Sequence, residues 1–204
     1  MDEKVIIDPK NKDSIGLIRD NIYSEIFPIF KSGRDISVIC IGSDRSTGDS
    51  LGPLIGEKLK FLNREHFSIY GNLQYPVHAK NILDTLDNIN KLNNNPFIIA
   101  VDACLGSLEH VGSVILKKSP LLPGAAVNKN LPPVGNLSIT GVVNISGTME
   151  FMVLQNTRLY NVMQLADLIS NGIYHSILKT YGGRKYSIHE LDVLKRYKNQ
   201  IEAQ

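Results

Sequence analysis

The chain predicts an α/β protein, a three-layer sandwich with a mostly parallel central sheet and helices on both faces. Two short apolar runs, Ile36-Ser37-Val38-Ile39-Cys40-Ile41 and Phe97-Ile98-Ile99-Ala100-Val101-Asp102, read as strands buried on both sides. Each follows a segment whose apolar residues recur at spacings of three and four, the period of a helix with one buried face. Alternation of helix and strand is the order of crossover units, which lay successive strands parallel.

The first element is a helix over 13–30, with Ile15, Ile18, Ile22, Ile26 and Ile29 on one face and Pro28 limiting its continuation. The strand at 36–41 follows, then a helix over 51–62 carrying Leu51, Leu54, Ile55, Leu59 and Leu62, with Pro53 suited to its first turn. A weak strand is expected near 67–73 and a helix over 77–92, which Asn93-Asn94-Asn95-Pro96 stops before the strand at 97–102. Residues 111–117 read as a further strand, and the Pro/Gly-rich stretch from Ser119 to Gly147 as long loops with short strands. Helical spacing returns over 149–179 and ends at Gly182-Gly183. Ser187-Ile188-His189-Glu190 has the S-x-x-E spacing of a capping box and opens a last helix over 187–202. A chain of 204 residues fits a single α/β domain over 1–204, its core spanning 35–180.

The composition is that of an ordinary globular protein, with 43% apolar and 21% charged residues and a net charge of +2. The densest basic patch, Lys195-Arg196-Tyr197-Lys198, reads as a solvated helix face, so no nucleic-acid partner is expected. No run reaches the ~18 apolar residues of a membrane span, and Met1-Asp2-Glu3-Lys4 does not begin a signal peptide. The expected location is the cytoplasm. Cys40 and Cys104, in or at the end of the two strands, read as buried reduced thiols without the spacing of a metal set.

The chemistry concentrates where the first strand enters Gly42-Ser43-Asp44-Arg45-Ser46-Thr47-Gly48-Asp49-Ser50-Leu51-Gly52-Pro53. The glycines do not fit G-x-G-x-x-G, and Gly48 is followed by Asp49 rather than the lysine of a Walker loop. A carboxylate at the mouth of a helix repels the phosphate that such a turn would otherwise welcome. Asp49 alone is equally well read as the N-cap of the helix beginning near Leu51, and Asp44 as a turn residue paired with Arg45. Asp102 changes the balance, because an acid at the end of an apolar strand needs partners or a displaced pKa. In an open α/β sheet the carboxyl ends of neighbouring strands face one crevice, so Asp49 and Asp102 are expected to meet there. Two such carboxylates suit either of two uses: an acid and base pair that activates water, or part of a divalent-metal site.

These motifs, with Val101-Asp102-Ala103-Cys104-Leu105-Gly106, Leu131-Pro132-Pro133-Val134-Gly135, Ser138-Ile139-Thr140-Gly141 and Leu154-Gln155-Asn156-Thr157-Arg158-Leu159, resemble the YyaC spore-protease family of endospore-forming bacteria. That family is similar to the spore germination protease and, more distantly, to the hydrogenase maturation proteases, which implies a phosphorylase/hydrolase-like α/β sandwich. Asp49-Ser50-Leu51-Gly52-Pro53 corresponds to the Asp-Ala-Leu-Gly-Pro context of one catalytic aspartate of the germination protease, and Val101-Asp102-Ala103 to the context of the other. The resemblance implies a sporulation-associated peptidase acting on a protein or peptide, with Asp49 and Asp102 catalytic. Its loop, with Gly42, Ser43, Asp44 and Gly48, is expected to contact substrate.

In the maturation proteases the two acidic positions hold a metal together with a downstream histidine. Residues 123–147, where that histidine is expected, contain none, so no metal and no cofactor is expected here. His110, shortly after the second strand, is the one histidine placed near the site; His66, His78, His175 and His189 read as surface or helix-face residues. Two alternatives to the peptidase are a non-catalytic relative that binds a peptide or protein in the same crevice, and a metal-dependent enzyme using Asp49, Asp102 and His110. The amphipathic terminal helices leave a homo-oligomer possible.

Overall fold

In the computed structural model, which describes residues 4–62, 64–93, 95–123 and 131–182, the elements follow the predicted alternation. Six strands form one mixed sheet in the order β1-β5-β6-β4-β2-β3. They are β1 (Lys4–Ile7), β2 (Ile36–Cys40), β3 (Phe67–Tyr70), β4 (Phe97–Gly106), β5 (Val114–Lys117) and β6 (Leu137–Ile145). β3, β2, β4 and β6 run parallel, whereas β5 pairs antiparallel with both β6 and β1. The expected last helix over 187–202 lies outside the described residues.

The helices are α1 (Ser14–Lys31), α2 (Leu51–Leu59), α3 (Ile82–Leu92), α4 (Glu150–Gln155) and α5 (Leu159–Tyr181). In α1, Ile18, Ile22 and Ile26 are fully buried against the sheet and α5, whereas Ile15, at the start of the same stripe, is left exposed. Each such burial stabilises the fold by roughly 1.5–3 kcal/mol. Pro28 stands inside the last turn, and the helix ends three residues beyond it.

The two-residue pleat of the strands distributes their side chains between two cores. Ile36, Val38 and Cys40 of β2 and Phe97, Ile99 and Val101 of β4 join α1, α2 and α5 in the larger core. Ile39, Ile98 and Ala100 face the other way and pack with Val77, Ile82 and Ile89 at α3, and with Leu121 and Val134. The sheet is therefore covered on both faces, and the parity of β4 decides where Asp102 points. It shares the pleat face of Ile98 and Ala100, the α3 side.

Several elements differ from expectation. The Pro/Gly-rich stretch supplies β6, a long strand buried at the centre of the sheet, in place of short strands in loops. The helix of 77–92 begins only at Ile82, because Val77 is taken into a parallel bridge with Ile41 and residues 78–81 form a turn. The helix of 149–179 is two helices, parted at Asn156–Arg158, where the Thr157 hydroxyl donates to the Val153 carbonyl at 2.8 Å. β1, which pairs antiparallel with β5, is an edge strand that the spacing did not reveal.

Candidate active site

The site is built where β2 stops and β4 does not. The last pair between them is Cys40 with Val101, and the Ile41 N–H donates to the Val101 carbonyl at 2.7 Å before the chain turns away at Gly42. Asp102 is the next residue of β4, still paired with Thr140 of β6 on its other side. It was expected at the end of its strand, but β4 continues to Gly106. Its side chain is released by the end of the neighbouring strand instead.

Asp49 reaches the same place through a tight turn. Gly42 has φ +141°, a conformation that side chains rarely adopt, and a Cβ built on it would lie 2.0 Å from the Asp49 carbonyl oxygen. That contact lets the Ser43 N–H donate to the Asp49 carbonyl at 3.0 Å and closes the loop. A 3-10 turn at Gly48–Ser50 then leads into α2, with the Ser50 hydroxyl donating to the Thr47 carbonyl at 2.6 Å. The N-cap of α2 is Ser50, and neither it nor Thr47 at the head of the 3-10 turn makes a side-chain cap. Asp49 lies inside the turn rather than at a cap.

A cavity of about 360 Å3 opens at this edge, and Asp49 and Asp102 both line it. Gly42, Ser43, Arg45 and Ser46 of the loop contribute to its wall, as do His78, Ala79 and Lys80 from the turn before α3. The apolar part comes from Ile41, Pro123, Leu131 and, from α4, Phe151 and Leu154. Of the four loop residues expected at substrate, Gly42 and Ser43 line the cavity. Asp44 is exposed and outside its wall, and Gly48 is buried beneath Leu154, which a side chain there would strike. No ion pair joins Asp44 to Arg45 among the described residues, contrary to the expected local pairing; Arg45 instead donates its N–H to the Ser43 hydroxyl at 3.3 Å. The N–H groups of Gly42, Ser43 and Arg45 all have partners within the protein, so those three are not free to serve an oxyanion.

The two carboxyl groups have unequal surroundings. Burial pushes the Asp102 carboxyl well above the ordinary carboxylate range, the negative charge of Asp49 pushes it further, and the Ala103 N–H, donating to Oδ1 at 2.8 Å, opposes both. Burial raises Asp49 too, but the Ser43 N–H and the positive charge available at His78 favour its ionised form. Asp102 therefore holds a proton in preference to Asp49, which leaves an acid beside a base. Two further polar atoms of the wall, the Ser46 hydroxyl and His78 Nδ1, are buried without a hydrogen-bond partner among the described residues.

His110 is not brought to this site. It ends a short 3-10 turn at Leu108–His110, and its Nδ1 shares a hydrogen bond of 2.7 Å with the Ser107 hydroxyl, away from the cavity wall. The histidine that does line the cavity is His78, which was read as a surface or helix-face residue. Its signal in the sequence was its place after a third parallel strand, at the same edge that receives Asp49 and Asp102. Among the described residues no group of three or more His, Cys, Asp or Glu side chains is arranged to hold a metal ion.

Fold and site together define an α/β protein with a carboxylate pair at one sheet edge. The chain belongs to the family described as "Protein of unknown function (DUF1256)", which matches residues 6–172. It is 56% identical over 142 residues to the uncharacterized protein YyaC of Bacillus subtilis (strain 168), covering 70% of this chain and 69% of that protein. The family expected from the motifs is thus the one found. Among solved structures, the [NiFe] hydrogenase maturation protease HycI from Thermococcus kodakarensis KOD1 is similar over 78% of this chain and 99% of that one, with a TM-score of 0.48 and 17% identity.

Proposed function

We propose that this protein is a peptidase of sporulating cells that hydrolyses a peptide bond in a protein substrate through Asp49 and Asp102. The observation that carries the reading is the inequality of the pair. Two carboxyls line one cavity, and the deeper one, Asp102, is held in its acid form by burial and by its neighbour's charge. Asp49 as the carboxylate takes a proton from water as the oxygen bonds to the carbonyl carbon, and Asp102 gives its proton to the carbonyl oxygen. Collapse of the tetrahedral species breaks the carbon–nitrogen bond. The Asp49 proton passes to the departing amine, and Asp102 recovers a proton from the gem-diol. The apolar wall of Ile41, Leu131, Phe151 and Leu154 offers a seat for an apolar side chain flanking the scissile bond.

The test is cleavage of spore-protein extracts and of peptide libraries by the wild type, Asp49→Asn and Asp102→Asn. Each substitution preserves shape and removes one half of the proton traffic, and a loss of at least ~100-fold in kcat is expected for both. An Asn variant that cleaves as fast as the wild type ends the mechanism.

A second reading, a non-catalytic protein-binding relative on the same fold, is favoured by the exposed apolar residues around α4. Met149, Phe151, Met152, Leu159 and Tyr160 all stand at least half exposed, and Phe151 continues into the cavity wall. Stable capture of a spore protein that remains intact, with Asp49→Asn binding as well as the wild type, supports that reading over the peptidase.

A further inference from the structure

Arg45, His78 and Lys80 are the basic side chains described on the cavity wall, and His78 is the one with a polar atom buried without a partner. It is held there by its backbone. The His78 N–H donates to the Asn81 side-chain oxygen at 2.8 Å, and the His78 carbonyl accepts the N–H groups of Asn81 and Ile82 at 3.0 Å each. The Asn81 amide in turn donates to the Pro76 carbonyl at 3.0 Å. This clasp fixes the His78 backbone, whereas the ring makes no bond at Nδ1, which is buried without a partner among the described residues. A buried polar atom left unsatisfied costs stability, and such atoms in native proteins call for a functional explanation.

The neighbours of Asp49 indicate what that explanation is. Among the described residues, the charged and titratable side chains that share the cavity with Asp49 are Arg45 from the loop, Asp102 from β4, and His78 and Lys80 from the turn before α3; α4 contributes Phe151 and Leu154. Of these described cations, His78 is the one whose charge acts on Asp49. We propose that His78 is a positioning residue of this site, which presents its imidazolium to Asp49 and so makes Asp49, rather than Asp102, the ionised member of the pair. The assignment deepens the peptidase reading and rests on its pairing of the two aspartates.

The experiment separates the two claims. The Asp49 carboxyl carbon is followed by NMR titration in the wild type, His78→Gln and His78→Lys, with Asp49→Asn assigning the signal, so that no cleavage is required. In His78→Gln the Asp49 midpoint is expected to move to higher pH, and in His78→Lys, where a cation is restored, to return toward the wild type. Because the clasp is made by the backbone and Nδ1 has no partner, the melting temperature of His78→Gln should match that of the wild type, whereas a merely structural histidine predicts a loss. In the cleavage assay the His78→Gln deficit should fall on kcat rather than KM. An unchanged Asp49 midpoint in His78→Gln overturns the proposal, as does a Lys variant that behaves like Gln. If instead Asp49→Asn still cleaves while the midpoint moves as expected, the peptidase mechanism falls and the coupling of His78 to Asp49 stands.

Discussion

Gly42→Ala tests whether the turn that delivers Asp49 depends on a missing side chain. At φ +141° an alanine is strained by about 1–3 kcal/mol, and its Cβ would sit 2.0 Å from the Asp49 carbonyl oxygen and 3.1 Å from Pro53 Cδ. The first contact is with backbone, so it is relieved only by moving the loop, at a further ~1–3 kcal/mol. The sum is about 4 kcal/mol, roughly 8–16 °C in melting temperature for a chain of this size. The movement also breaks the Ser43 N–H bond to the Asp49 carbonyl, which holds the carboxyl in place. Gly147→Ala is the control, because a Cβ there meets nothing within 4 Å, and it should stay within ~0.5 kcal/mol of the wild type. Thermal unfolding followed by circular dichroism reads both variants. Equal melting temperatures for the two would refute the claim that the Gly42 to Asp49 contact shapes the loop.

Two other outcomes follow from burial. For Asp102 the folded carboxyl keeps a proton that the unfolded chain releases once pH passes the ordinary value of 3.8, so this residue subtracts stability increasingly as pH rises toward its folded midpoint. Asp102→Asn should therefore melt higher than the wild type at neutral pH, by about 1.4 kcal/mol for each unit separating the two midpoints, with the gain vanishing in acid. A gain that does not depend on pH would count against a protonated Asp102. Burial likewise pushes the Cys40 thiol up to about 12, so iodoacetamide should leave it unlabelled in the native protein and label it only on unfolding, as mass spectrometry of the peptide would show. Native labelling of Cys40 at the rate of a free thiol would contradict its place in β2.

The parts of the fold that were legible were those where local pattern and tertiary role agree. β2 and the first half of β4 are buried on both faces, so their residues are apolar but for Ser37, and α1 and α5 hold one face to the core over many turns. β6 was hidden because its polar and small residues, Ser138, Thr140, Gly141 and Asn144, do not make an apolar run. Sheet position rather than composition makes it a strand: β4 and β5 supply its hydrogen bonds from either side. The start of α3 was misplaced for a related reason, since Val77 has helical spacing with Ile82 but is claimed by the bridge to Ile41.

The site divides along the same line. Asp49 and Asp102 could be read because each stands against a strong local background, a glycine turn in one case and an apolar strand in the other. His78 has no such background. It lies in a short turn of mixed residues, and only the parallel pairing of β3 with β2 carries that turn to the edge where β2 ends. Parallel pairing brings the exits of β2, β3 and β4 to one edge however far apart they lie in sequence, so a third contributor is a consequence of topology. Burying two carboxyls there opposes folding, because one must be kept protonated against its ordinary value and both leave water. Either apolar or amide side chains would remove that cost. What they would not supply is a deep acid beside a shallower base that a nearby imidazole can hold ionised, and that asymmetry is the property the arrangement gains from its unfavourable charges.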